Sequence, residues 1–173
     1  MVENPISRLD TVFPSQPVPR GAEWEVMRDA TIRQAKPEDA ARVAELLSQL
    51  GYPATAAEVV RRLGYWQGDP LSRILVAERS GQVIGCLSVH AIPYLERTGR
   101  WARIESLVVD STARRSGVAR SLVAAAEDTA RQWGCLAVEV TSARYRDDAH
   151  AFYKQLGYAD VCDKSARFFK VFD

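Results

Sequence analysis

The sequence predicts an α+β fold on a mixed, mostly antiparallel sheet, and three observations carry that prediction. Strand-like and helix-like segments follow one another in the order β-α-α-β-β-β-α-β-α-β-β, which is not the strict alternation of a doubly wound sheet. Two of the strand-like runs are joined at Ser80-Gly81, a hairpin signal. The chain has 173 residues, 47% of them hydrophobic and 26% charged, which is enough to bury a core without disulfide or metal support.

Residues 1–28 are rich in proline and polar side chains and keep no sustained period. They read as an irregular arm, with Trp24 and Val26 as candidate anchors, ahead of one domain over residues 29–173. ATIRQA (Ala30 to Ala35) alternates and reads as the first strand. In KPEDAARVAELLSQLG, Pro37 suits a first helical turn, Glu38 and Asp39 favour its positive end, and Gly51 stops it. Ala41, Val43, Ala44, Leu46 and Leu47 supply its apolar side. TAAEVVRRLGYW is a shorter second helix, opened by a Thr55–Glu58 capping box. Ile74 to Ala77 and Val83 to Val89 are the hairpin strands, and ARIESLVVD (Ala102 to Asp110) is the fourth strand. Val118, Ala119, Leu122, Val123, Ala126, Ala130 and Trp133 form the stripe of a third helix that Gly134 closes. LAVEVTS (Leu136 to Ser142) is a fifth strand, and RDDAHAFYKQLG is a fourth helix ending at Gly157. YADV and SARFFKVF close the chain as two more strands.

Lys plus Arg number 23 against 22 Asp plus Glu, so no whole-protein basic field exists to hold nucleic acid, and any anion site must be local. Cys86, Cys135 and Cys162 are odd in number and far apart, which argues against a disulfide framework or a metal knuckle and for reduced thiols in a cytoplasm. No basic region followed by an apolar run opens the chain, and no segment is apolar for long enough to span a bilayer. Neither His90 nor His150 has a second ligand at metal spacing, so no metal is expected.

The mouth of the third helix is chemically unusual. Arg114, Arg115, Ser116, Gly117 and Arg120 set positive charge and bare backbone where the first helical amides lack partners and the peptide dipoles add positive charge. These features suit a phosphate or diphosphate. The known nucleotide loops fail on spacing: Thr112 fills the first glycine position of the G-x-x-x-x-G-K-[ST] loop, and the dinucleotide fingerprint needs three glycines where only Gly117 stands.

Arg114-x-x-Gly117-x-Ala119, set in LVVDSTARRSGVARSLV, resembles the Q/R-x-x-G-x-G/A signature of the GCN5-related N-acetyltransferase (GNAT) family, with its strand before and helix after. The likeness extends over Ala30 to Phe172, and Ala119 stands where many members have glycine. It implies acetyl-CoA as cosubstrate, with the diphosphate on the amides of Arg115, Ser116, Gly117, Val118, Ala119 and Arg120 and the pantetheine arm beside Leu107, Val108 and Val109. It also implies a bulge in the fourth strand and a splay between the fourth and fifth.

The resemblance assigns chemistry as well. Ala149, Phe152, Tyr153, Gly157 and Tyr158 match the family's A-x-x-F/L-Y-x-x-x-G-F/Y helix, which makes Tyr153 the group facing the departing thiolate. Arg146 stands where many members carry a cofactor-contacting asparagine, with the CoA phosphates within its reach. Glu105, a carboxylate in an apolar strand, is either the base that deprotonates the amine or an ion-pair partner of Arg103 or a strand neighbour. Strand alternation puts Arg103, Glu105 and Leu107 on one face. A main-chain N–H at Leu107 or Val108 would serve the oxyanion. Tyr65, Trp66, Tyr94 and Trp101 lie where the family places acceptor-binding residues. They stack on a ligand, form a dimer contact, or simply pack.

The leading reading is transfer of an acetyl group to a primary amine of a small molecule or peptide terminus, by direct attack in a ternary complex. Alternatives are a CoA-binding regulatory module without turnover and a docking protein that uses its aromatic loops. No acidic cluster marks a polycation pocket, and a homodimer is compatible with the family.

Overall fold

The computed structural model describes residues 30–162, 168 and 170–172. The chain runs β1 (Thr31–Gln34), α1 (Ala40–Leu50), α2 (Ala56–Gln67), β2 (Ser72–Arg79), β3 (Gln82–Pro93), β4 (Arg100–Val109), α3 (Val118–Gln132), β5 (Val138–Val140) and α4 (Asp147–Gln155). The five strands form one sheet in the order β1-β2-β3-β4-β5, antiparallel except for the β4–β5 pair, which is parallel. The expected mixed sheet with four helices is therefore present, and its first nine elements occur in the expected order.

Local chemistry explains the boundaries. Pro37 opens a 3-10 turn (Pro37–Asp39), and α1 begins only after it. Asp39 is buried at 9% exposure, and its carboxylate is gripped by both nitrogens of the Arg33 fork at 2.7 and 2.8 Å, so it ties α1 to β1 rather than serving a helix dipole. The Thr55–Glu58 capping box forms as expected.

The sheet divides two apolar layers. Leu87, Val89, Ala102 and Ile104 face α3, whose Leu122, Val123, Ala126 and Ala130 are at most 1% exposed. Val76, Val83, Cys86 and Val108 face α1 and α2, against Val43, Leu46, Val59 and Leu63. Each fully buried Leu or Val contributes about 1.5–3 kcal/mol. Gly85 sets the fit of α3 on β3: a Cβ there would stand 3.0 Å from Val118 Cγ1 and 3.1 Å from Leu122 Cδ1.

The β3–β4 ladder shifts register once. Ser88 pairs with Ser106 and Val89 with Ile104, which leaves Glu105 as the extra residue of a bulge. The bulge breaks the alternation expected for β4. Ile104 and Leu107 both pack on the α3 layer, so Glu105 and Leu107 do not simply share a face.

The end of the chain departs from expectation. Tyr158 to Val161 are not a strand. Tyr158 folds back, its amide donating to the Tyr153 carbonyl at 3.0 Å, and Asp160 Oδ1 accepts the Cys162 amide at 3.1 Å, a local turn that competes with sheet pairing. Most of SARFFKVF, like Trp24 and Val26, lies outside the described residues, and Phe168 and Lys170 to Phe172 are not in a strand. Among the described residues no helix is long and apolar enough to cross a membrane.

Candidate active site

The turn between β4 and α3 is built around Asp110. Its amide donates to the Ile84 carbonyl at 2.9 Å, and its carboxylate accepts from the Thr112 amide at 2.9 Å and the Thr112 hydroxyl at 2.5 Å. Gln49 Nε2 donates to the same carboxylate at 3.0 Å, the Arg42 guanidinium also pairs with it, and Gln49 Oε1 accepts the Ser111 amide at 2.9 Å. Thr112 first, then Gln49 and Arg42, hold the Asp110 carboxyl well below the usual carboxylate range. Sequence reading missed these partners: Arg42 and Gln49 lie more than 60 residues away, although an aspartate before Ser-Thr is a legible capping signal.

Beyond this brace the backbone turns left-handed twice, at Arg115 (φ 59°) and at Gly117 (φ 80°), the N-cap of α3. Gly117 is exposed and has no side chain to cap the helix, so the amides of Val118 and Ala119 open the first turn with no side-chain acceptor. Ser116 Oγ donates to the Ala113 carbonyl at 2.6 Å and closes the turn. Arg114 and Arg115 are exposed beside it, Ala119 and Arg120 are half-buried, and buried Val118 anchors the helix start against Gly85.

β4 pairs with β5 only through Ala102–Val138, Arg103–Glu139 and Ile104–Val140. From Glu105 to Val109 the β5-facing edge of β4 has no ladder partner among the described residues. Leu107 and Val109 pack on the α3 layer and Val108 on the α1–α2 layer. An extended chain laid along this edge meets backbone groups that have no ladder partner among the described residues.

Glu105 lies where the two strands part. Its side chain is 42% exposed, and Oε1 meets Arg103 Nε at 2.8 Å and His90 Nε2 at 3.1 Å. The burial on which the sequence argument leaned is absent. The ion pair with Arg103 is present, and Arg103 in turn pairs with Glu139 at 2.5 Å.

Tyr153, on α4, occupies the opposite layer, half-buried between Phe152 (ring centroids 5.2 Å) and Tyr158 (5.6 Å). Burial pushes its phenol up to about 12, with Arg146 opposing the shift. Arg146, the N-cap of α4, donates from Nη2 to the Leu50 carbonyl at 3.3 Å, which joins α4 to the C-terminus of α1. His150 Nε2 bonds the Ala143 carbonyl at 3.0 Å. Glu105 thus contacts Arg103 and His90, whereas Tyr153 packs on the α3 layer.

Two cavities lie on the α1–α2 side, and Trp66 lines both. The first, about 140 Å³, has walls of Val43, Leu47, Val59, Leu63 and Ile74, together with the Ser88 and Ser106 hydroxyls, which bond each other at 2.7 Å. The second, about 180 Å³, is lined by Tyr65, Trp66, Asp69, Ser72 and His90. The Tyr94 and Trp101 rings pack on each other (4.7 Å between centroids), and Arg97 covers Tyr94, so this pair closes its own cluster in the β3–β4 hairpin. Among the described residues no group of three His, Cys, Asp or Glu is placed to hold a metal ion.

The model of the acetyltransferase (GNAT) family matches residues 40–158. An aminoalkylphosphonate N-acetyltransferase of Salmonella typhimurium is 33% identical over 139 residues, which are 78% of this chain and 88% of that protein. The crystal structure of glucosamine-6-phosphate N-acetyltransferase from Arabidopsis thaliana superposes with a TM-score of 0.70 at 26% identity, covering 83% of this chain and 99% of that one. A transcriptional regulator from Bacillus halodurans C-125 superposes with a TM-score of 0.73 at 27% identity, over the same shares of the two chains.

Proposed function

Because the chain belongs to the acetyltransferase (GNAT) family, we propose that it transfers the acetyl group of acetyl-CoA to the primary amine of a small molecule, by direct attack in a ternary complex. The observation that carries this reading is the continuity of two backbone features. The unpaired edge of β4 is followed, after Asp110 and a 3-10 turn at Ser111–Ala113, by a turn with left-handed backbone at Arg115 and Gly117 that opens α3. The residues fit acetyl-CoA: Gly117, Val118 and Ala119 offer amides to the diphosphate, and Arg114, Arg115 and Arg120 offer charge around it. Leu107, Val108 and Val109 run beside the pantetheine arm, and Arg146 stands at the same end of the sheet.

Bound acetyl-CoA supplies an activated thioester carbonyl. Glu105 takes a proton from the incoming ammonium, directly or through one water, and frees the nitrogen lone pair. The new C–N bond forms as the C–S bond breaks, and a main-chain N–H at Leu107 or Val108 steadies the charge on the carbonyl oxygen. Tyr153 donates its phenolic hydrogen to the departing sulfur, the second proton leaving the nitrogen restores the phenol by way of solvent, and the raised pKa of Tyr153 keeps its hydrogen in place through neutral pH. The N-acetyl amide and the free CoA thiol then leave, and Glu105 returns its proton to solvent. Three free cysteines support a reducing compartment such as the cytoplasm.

Thiol release from acetyl-CoA across a panel of amines tests the reading. Acceptor-dependent release with a matching acetylated product is expected. Tight acetyl-CoA binding with no release for amino acids, polyamines, amino sugars, alkylamines or short peptides would instead make the chain a CoA-binding regulatory module.

A further inference from the structure

The acceptor's chemical class follows from the two cavities that share Trp66. The first approaches, at 140 Å³, the volume of an apolar protein cavity that admits one benzene molecule, about 150 Å³. Its walls are aliphatic apart from Trp66, and its two hydroxyls already satisfy each other. Among the described residues Arg62 is the one charged residue of its lining, and it is exposed. Placing a second ammonium there, beside aliphatic walls and Arg62, is costly.

The polar cavity presents the opposite chemistry. His90 packs edge-on against Trp66 at 5.7 Å and contacts Glu105, while Asp69 lines the same space. Two carboxylates therefore flank His90, and an arriving ammonium is drawn to that end. Trp66 lines both cavities, and Ser88 of the first and His90 of the second are two residues apart on β3, so the cavities are neighbours on one side of the sheet.

We propose that the acceptor is a small apolar primary amine, whose ring or branched alkyl group fills the cavity beside Trp66 and whose nitrogen lies by His90 and Glu105. The proposal rests on the acetyl-transfer reading above and names the substrate class of that same site. A short aliphatic spacer between ring and nitrogen, as in phenethylamine, matches the step from one cavity to the other. Sugar phosphates and polyamines place polar or charged atoms where the aliphatic walls stand.

The test is a series of acceptors assayed with the wild-type chain: ethylamine, propylamine, isoamylamine, phenethylamine, glucosamine 6-phosphate and spermidine. The expected kcat/KM rises about fourfold for each added methylene until the cavity is full. Phenethylamine should exceed the two polar amines by about tenfold or more. Trp66→Ala should lower kcat/KM for phenethylamine by about tenfold while calorimetry shows acetyl-CoA still bound. A flat series, or a preference for glucosamine 6-phosphate or spermidine, overturns the proposal. Direct titration of phenethylamine, read by tryptophan fluorescence, separates the two readings. Saturable phenethylamine binding without thiol release from any amine would defeat acetyl transfer and uphold the cavity assignment. Thiol release with another amine of the series, but no phenethylamine binding or turnover, would do the reverse.

Discussion

Oε1 of Glu105 lies 3.1 Å from Nε2 of His90, on the residue that has no partner of its own across the β3–β4 ladder. The bulge therefore does two things at once. It turns a carboxylate out of the strand toward His90, and it falls where β4 leaves β5. A regular strand would put this position in register and close the gap by one residue.

Glu105→Gln keeps the shape and removes the proton acceptor. If Glu105 is the base, kcat falls by about 100-fold or more and acetyl-CoA affinity is unchanged, as read by thiol release and calorimetry on one preparation. A kcat within threefold of wild type would leave Glu105 with only its ion pair to Arg103.

Tyr153→Phe removes the hydrogen that the proposed mechanism gives to the leaving sulfur. A kcat loss of about 100-fold is expected, with little change in acetyl-CoA affinity. Because burial pushes this phenol up to about 12, the protonated form persists where an ordinary phenol, with a pKa of about 10, would be half ionised. The ratio of wild-type to variant rates should therefore stay constant up to about pH 10. A ratio that collapses between neutral pH and about pH 9 would contradict the assignment.

The fold's main order was legible because helix stripes and the hairpin are local patterns. Gly117 was legible for the same reason: charge, bare backbone and helix start are contiguous in sequence. The bulge at Glu105 was not, since register is a property of two strands and only the pairing of Ser88 with Ser106 and of Val89 with Ile104 exposes it. The brace on Asp110 was equally hidden, as Arg42 is 68 residues away. YADV read as a strand on its side-chain pattern alone, and the Asp160 turn overrode that pattern. Glu105 as a buried carboxylate failed similarly, because Arg103 and His90 reach it at the open edge.

Asp110 makes the turn before α3 sensitive to acid. Its carboxyl is depressed in the folded chain, so the stability it contributes is present above the unfolded carboxylate pKa of about 3.9 and is lost as pH falls below it. Asp110→Asn should destabilise the protein at pH 7 by about 2–3 kcal/mol, because the Arg42 guanidinium loses its buried carboxylate and is left with exposed Glu45 and the Val83 carbonyl. The gap between variant and wild type should narrow toward about pH 3 in thermal unfolding. A gap that widens with acid would reverse the assigned sign.

Calorimetric titration of acetyl-CoA into the wild-type chain and into Gly117→Val tests the central claim most directly. The account predicts saturable binding to the wild type and a loss of affinity of about tenfold or more in the variant. A branched side chain at φ 80° strains the turn and stands where the diphosphate must approach the amides. No uptake by the folded wild type, or equal affinity in the two proteins, would contradict it.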